Sequence, residues 1–133
     1  MIRARVGQGR YRDELLERWG GTCAVTGSAT IDAIVASHIK PWRLCSNIER
    51  VDAANGLPLV GTLDRLFDYG LISFDETGRI LLSPRIPLDE YPRLNLSTYL
   101  RLRMLLPETM EYLAFHREGC FWENVYDEDD DED

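Results

Sequence analysis

The chain has 133 residues, which suits one domain with a single core and excludes two full-sized domains. Its formal net charge is -8, but seven of its 23 acidic residues form the run 127–133, and the rest of the chain has 16 acidic and 15 basic residues. We therefore expect one nearly neutral domain over residues 1–126, followed by a disordered acidic segment over residues 127–133.

The cysteines indicate the cellular compartment. Cys23, Cys45 and Cys120 are odd in number, lie far apart and include no CxxC pair, which excludes a disulfide framework and a four-cysteine zinc site. No apolar leader and no segment of transmembrane length is found. We expect a soluble cytoplasmic protein without membrane contact.

The first half of the chain predicts one helix and two strands. Apolar side chains at helical spacing predict an amphipathic helix over residues 11–19, ended by Gly20 and Gly21. Two apolar runs in residues 22–38 predict short strands. Residues 40–54 have mixed charge and are predicted to be irregular.

The second half predicts a helix, a hairpin and a further helix. Residues 62–70 predict a short helix that Gly70 ends. Residues 71–83 alternate apolar and polar side chains around a glycine-containing turn, which predicts a β-hairpin. Pro107 is suited to the first turn of a C-terminal helix that includes Leu113.

Four polar residues form a candidate site. His38 ends the second predicted strand, and Asn55 lies beyond the loop that follows. Asp64 and Asp68 are four residues apart on a predicted helix, so their carboxylates share one face and are a plausible half-shell for Mg²⁺ or Mn²⁺. The alternative is that Asp64 is a solvated helix residue and Asp68 stabilises the turn; spacing leaves both open.

At this point the sequence resembles a known family. The segments CAVTG, ASHIKPWR, NGLPL, LDRLFDYGLISFD and GRILLS follow one another in this order. This order resembles the His-Asn-His (HNH) endonucleases, in particular their bacterial restriction-type branch. The resemblance extends from Gly7 to Phe121 and so leaves out the acidic segment.

The resemblance implies an α+β fold. Its core would be the ββα-metal unit (the His-Me finger), with an added β-hairpin and flanking N- and C-terminal helices. His38 would be the general base, a role that suits imidazole near neutral pH. Asn55 would fix the loop and orient His38, although an Asn-Gly pair also favours a turn for local reasons. Asp64 occupies the position of the family's final histidine, and Asp68 that of a further metal ligand.

Two departures from the family pattern bear on the metal. Ser37 stands where many members have Asp or His, and Asp64 replaces a histidine. The resulting oxygen-rich site favours Mg²⁺ or Mn²⁺, with Ni²⁺ and Zn²⁺ as lesser candidates. The same departures favour an alternative, a catalytically silent module that binds DNA or a protein.

The function implied is therefore a metal-dependent DNA endonuclease, for example in restriction or defence. Lys40, Arg43 and Arg65 flank the candidate site and would contact DNA phosphates, or else be ordinary surface charges. A homodimer would be the simplest route to cutting both strands. The acidic segment is interpreted as solubilising, and its alternative role is to mimic DNA phosphates in the basic groove.

Overall fold

The computed structural model of the protein describes residues 8–125. These residues form an α+β fold of four α-helices and two small antiparallel sheets. The helices are α1 (Gln8–Arg18), α2 (Asn47–Val51), α3 (Gly61–Asp68) and α4 (Pro107–Gly119), and the strands are β1 (Ile34–His38), β2 (Gly56–Val60), β3 (Ile72–Phe74) and β4 (Ile80–Leu82). The prediction for the acidic run 127–133 lies outside the described residues.

The centre of the fold is the sheet of β1 and β2 with the helix that follows it. His38 pairs with Gly56 and Ile34 with Val60, and α3 begins directly after β2. Both α1 and α3 contact this sheet. Leu57 and Leu59 are completely buried, since β2 lies in the middle of the hydrophobic core.

The second sheet is the predicted β-hairpin, and it is confirmed. Ile72 of β3 pairs with Leu82 of β4, and the turn between the strands is closed by Asp75. One carboxylate oxygen of Asp75 accepts hydrogen bonds from the backbone N–H groups of Thr77 (2.8 Å) and Arg79 (2.9 Å). The helices predicted at 11–19, 62–70 and from Pro107 onward are also present as α1, α3 and α4.

One predicted strand is wrong. Residues 23–28 form a tight turn, in which Cys23 N–H donates to Ser28 O at 2.9 Å and Gly27 N–H donates to Cys23 O at 3.1 Å. Gly27 has a positive φ of +76°, which reverses the chain where a strand would continue. The hydrogen bond from Ala24 N–H to Pro58 O (2.7 Å) attaches the turn to β2.

Helix α2 lies in the region that was predicted to be irregular. Ser46 caps it: the Ser46 hydroxyl accepts from Glu49 N–H at 3.2 Å, and the Glu49 carboxylate accepts from Ser46 N–H at 2.8 Å. This capping box is a recognised helix start. A helix of five residues has too few apolar positions for its periodicity to be detected.

Two findings concern the chain as a whole. Cys23, Cys45 and Cys120 are free thiols. Within residues 8–125, every helix is too short or too polar to cross a bilayer.

Candidate functional site

His38 is the last residue of β1, and its ring is held by the loop that follows. Nε2 lies 2.9 Å from the carbonyl oxygen of Arg50 in α2. Because a carbonyl oxygen only accepts hydrogen bonds, Nε2 carries the proton in this contact. In the neutral imidazole the lone pair is then on Nδ1, which is the nitrogen able to accept a proton.

Two aromatic rings fix the orientation of His38. Its imidazole stacks on Tyr11 of α1, with ring centroids 4.3 Å apart and planes 7° from parallel. Trp42 contacts it edge-on at a centroid distance of 5.6 Å. Periodicity places Tyr11 only on the apolar face of α1, and no sequence signal indicates that its ring lies against His38.

Asn55 connects both sides of the loop between β1 and β2. It is fully buried, and its Oδ1 accepts from Lys40 N–H at 2.9 Å. Its Nδ2 donates to Glu49 O at 3.1 Å and contacts Cys45 Sγ at 3.4 Å. Glu49 precedes Arg50, so Asn55 holds the same turn of α2 that contacts His38.

The two acidic residues of α3 differ in exposure. Asp64 is partly buried and accepts a hydrogen bond from the hydroxyl of Ser37, whereas Asp68, one turn later, is exposed. Burial, followed by the nearby charge of Asp68, raises the pKa of Asp64, and the Ser37 hydrogen bond opposes this shift. Ser37, Asp64 and Asp68 thus form one group of oxygen donors.

The acidic group and His38 belong to opposite sides of β1. Successive side chains of a strand point to opposite faces. Ser37 is directed to α3, where it meets Asp64, and His38 is directed to α1, where it meets Tyr11. The structure brings Ser37 together with the acids and brings His38 together with the loop residues.

The donor set can be compared with what different metals require. Among residues 8–125, no group of three or more His, Cys, Asp or Glu side chains is arranged to hold a metal ion. Two carboxylates and a hydroxyl do not make a closed zinc site. They do fit Mg²⁺, which keeps several waters and commonly binds one or two carboxylates together with a substrate phosphate.

The three predicted phosphate-binding residues have different surroundings. Lys40 Nζ forms an ion pair with both carboxylate oxygens of Glu49 at 3.0 Å, so its charge is already engaged. Arg43 is exposed on the loop after β1. Arg65 is exposed on α3, with its guanidinium carbon 4.8 Å from the centre of the Tyr69 ring.

His116, in α4, has the contacts of a structural residue. It is buried, its Nδ1 accepts from the Ser73 hydroxyl at 2.8 Å, and its Nε2 donates to Phe67 O at 3.0 Å. Burial lowers the pKa of His116 to about 4, so the ring is neutral at physiological pH. The bond to Phe67 O holds the last turn of α3, which carries Asp68.

Part of the chain matches a known protein family. Residues 23–75 match the family model described as HNH endonuclease. The matched segment contains β1, α2, β2 and α3 and ends in the hairpin; it therefore includes His38, Asn55 and both acids but not Tyr11. No curated protein matches the chain. The family match indicates a function of nuclease type.

Proposed function

We propose that the protein is a metal-dependent DNA endonuclease that hydrolyses phosphodiester bonds, with His38 as its general base. The observation that carries the proposal is the imidazole of His38, which is oriented by its hydrogen bond to Arg50 O and lies inside the segment that matches the HNH endonucleases. In this proposal β1, β2 and α3 are the ββα-metal core. The proposal also places the protein in the bacterial restriction-type branch of the HNH endonucleases.

The general base acts through Nδ1 of His38. Imidazole titrates near neutral pH, so a neutral ring can take a proton from the attacking water. The carbonyl of Arg50 accepts a hydrogen bond from Nε2–H both before and after this transfer, and its dipole stabilises the imidazolium that forms. Asn55 contributes indirectly, because it holds the turn of α2 that carries this carbonyl.

Asp64 and Asp68 would hold the divalent ion, with the Ser37 hydroxyl beside them. When bound, the ion supplies positive charge that stabilises the phosphate and its leaving oxygen. Mg²⁺ and Mn²⁺ suit these oxygen donors; Ni²⁺ ranks lower, and Zn²⁺ lowest because it prefers nitrogen and sulfur ligands.

Exposed arginines of the site would position the DNA backbone. Arg43 and Arg65 are free of carboxylate partners among residues 8–125 and can contact phosphates. Lys40 would contact a phosphate only in exchange for its ion pair with Glu49. A homodimer would place two such sites on opposite strands.

The alternative function is a module that binds DNA or a protein without catalysis. The observation that favours it is the small number of metal-ligating side chains: two carboxylates on α3, with Ser37 in place of a stronger ligand. DNA binding unchanged by a chelator and unaccompanied by cleavage would support this function.

The experiment that separates the two functions is cleavage of supercoiled plasmid by the purified protein. Mg²⁺, Mn²⁺, Ni²⁺ and EDTA would be compared for the wild type, His38→Ala and Asp64→Ala, with the exposed Asp13→Ala as the matched control. We expect metal-dependent nicking that both site variants lose and the control keeps. No cleavage with any metal, on plain or modified DNA, would contradict the proposed nuclease function.

The same assay tests the homodimer. If two copies act together, the fraction of linear product should rise with protein concentration.

A further inference from the structure

Two stacked pairs of an arginine and an aromatic ring meet at the end of α3. The guanidinium carbon of Arg65 lies 4.8 Å from the Tyr69 ring centre, and that of Arg85 lies 3.9 Å from the Trp122 ring centre. Gly70 follows Tyr69, and its carbonyl accepts a hydrogen bond from Trp122 N–H at 3.0 Å. The two pairs are therefore neighbours on the surface. We call these four side chains the aromatic platform.

The backbone at Gly70 is what allows this arrangement. Gly70 has a φ of +73°, a backbone conformation that residues other than glycine rarely adopt. A Cβ atom there would also clash with the carbonyl oxygen of Cys120 and would lie 3.2 Å from the Trp122 ring. Only glycine lets the segment after α4 approach α3 so closely, and so the platform depends on this residue.

The platform borders the proposed metal ligands. Arg65 directly follows Asp64, and Tyr69 directly follows Asp68. One residue along a helix turns the side chain by about 100°, so Arg65 lies on the face of α3 next to Asp64, and Tyr69 directly follows the last residue of the helix. A nucleotide adjacent to a phosphate bound at the acids would be within reach of these rings.

The charges of the platform are available to a ligand. Neither Arg65 nor Arg85 forms an ion pair within the described part of the chain. Arg85 Nε donates to Asn124 O at 3.0 Å, which holds the guanidinium in place without neutralising it. More than half of Tyr69 is exposed, with a relative accessibility of 54%.

We infer that the aromatic platform binds an unpaired nucleotide of the DNA substrate. Aromatic rings that bind single strands stack on bases, and arginines beside them contact the phosphates. A base inside a duplex has both of its faces covered by its neighbours, so stacking on a protein ring requires an unpaired base. The inference rests on the proposed function and names its substrate class: DNA with a single-stranded segment beside the bond that is cut.

The test is binding of fluorescein-labelled DNA, measured by anisotropy in EDTA with the His38→Ala protein so that cleavage cannot interfere. A single-stranded oligonucleotide and a blunt hairpin duplex would be compared. We expect Tyr69→Ala to weaken single-strand binding roughly tenfold, the loss of one stacked base, and to change duplex binding about twofold or less. Tyr69→Phe keeps the ring and should bind as the parent does.

Matched controls are present in the chain. Tyr99 is 85% exposed and belongs to neither stacked pair, so Tyr99→Ala should leave both affinities unchanged. Arg85→Gln should reduce the dependence of single-strand affinity on salt, and Arg101→Gln should not. Equal losses on single strand and duplex, or no loss for Tyr69→Ala, would overturn the inference.

The inference and the proposed function can fail separately. If no metal supports cleavage but Tyr69→Ala still loses single-strand binding selectively, the proposed nuclease function is wrong and the inference about the aromatic platform is supported. If the plasmid is cleaved and Tyr69→Ala binds both DNA forms as its parent does, the inference about the platform is wrong and the nuclease function is supported. Faster cleavage of a gapped duplex than of a continuous one would support both.

Discussion

The ring of Tyr11 lies face to face with the imidazole of His38, at a centroid distance of 4.3 Å and an interplanar angle of 7°. The hydroxyl of Tyr11 also donates to Asn55 O at 2.7 Å. Burial raises the pKa of Tyr11, so this hydroxyl stays protonated and remains a donor. One residue of α1 thus contacts both His38 and the backbone of the residue that fixes its loop.

Substitution of Tyr11 separates these two contacts. Tyr11→Phe keeps the stack and loses the hydroxyl, which should cost about 1 kcal/mol of unfolding free energy and leave His38 protonated on Nε2. Tyr11→Leu removes the stack, so we expect both tautomers of His38 and a fall in cleavage rate of about tenfold relative to Phe. Imidazole ¹⁵N shifts report the tautomer without metal or DNA; unchanged shifts in Tyr11→Leu would show that the stack does not position His38.

Gly56 gives a second test of the same packing. A Cβ atom at Gly56 would clash with the Tyr11 hydroxyl and lie 3.1 Å from Leu15 Cδ2. Gly56→Ala should therefore destabilise the protein by about 1 to 3 kcal/mol. In the Tyr11→Phe background the loss should be smaller by about 1 kcal/mol. Urea denaturation of the wild type, the two single variants and the double variant gives the four free energies of unfolding. If the effects of the two substitutions simply added, the predicted clash would be contradicted.

Asn55 should be more important for stability than an exposed asparagine. Asn55→Ala removes a fully buried amide and leaves the partly buried N–H of Lys40 and carbonyl of Glu49 without their partner, which should cost about 2 to 4 kcal/mol. Asn47→Ala, at an exposed position of α2, is the control and should cost less than about 0.5 kcal/mol. Equal losses for the two variants, measured by urea denaturation, would mean that the loop does not depend on Asn55.

The sequence predicted the elements whose signals are local. The hairpin of β3 and β4 has alternating apolar residues and a glycine turn, and α3 has its apolar stripe and Gly70. The order of motifs around His38 also pointed to the family that residues 23–75 match. These signals need only neighbouring residues.

The sequence missed what depends on distant segments. The segment CAVTG has strand-forming residues, but Cys23 forms backbone hydrogen bonds with Gly27 and Ser28 of its own turn, and the positive φ of Gly27 reverses the chain. The stack of Tyr11 on His38 joins residues 27 positions apart, and Trp122 reaches Gly70 from the far end of the chain. Periodicity assigns such rings to a core, but it does not say which side chain they contact.

The charged carboxylate of Asp64 should destabilise the metal-free protein. Its pKa is raised mainly by burial, so the folded state disfavours the charged carboxylate, and its contribution to stability falls as the pH rises above the ordinary value of 3.8. Asp64→Asn should therefore stabilise the metal-free protein by about 0.5 kcal/mol at neutral pH, and the gain should disappear below pH 3.8.

The same variant should lose the response to metal. Thermal unfolding of the wild type in Mg²⁺ and in EDTA should differ, because an ion that binds the folded state stabilises it. Asp64→Asn should unfold at one temperature in both, whereas the exposed Asp13→Asn should behave as the wild type does. A wild type that Mg²⁺ and Mn²⁺ leave unchanged would argue against an ion at α3 in the absence of DNA.

His116 should make the protein sensitive to acid. Its pKa is about 4 when folded and 6.5 ordinarily, so between these values the unfolded chain binds more protons and stability falls as the pH falls. The full loss from this residue is on the order of 3 kcal/mol. His116→Gln should be less stable at pH 7 but lose less stability on acidification. Urea denaturation in EDTA from pH 7 to pH 4.5 gives both curves, and the carboxylates common to both proteins cancel in their difference. If the stability of the two proteins fell equally with pH, protonation of His116 would not be a cause of the acid sensitivity.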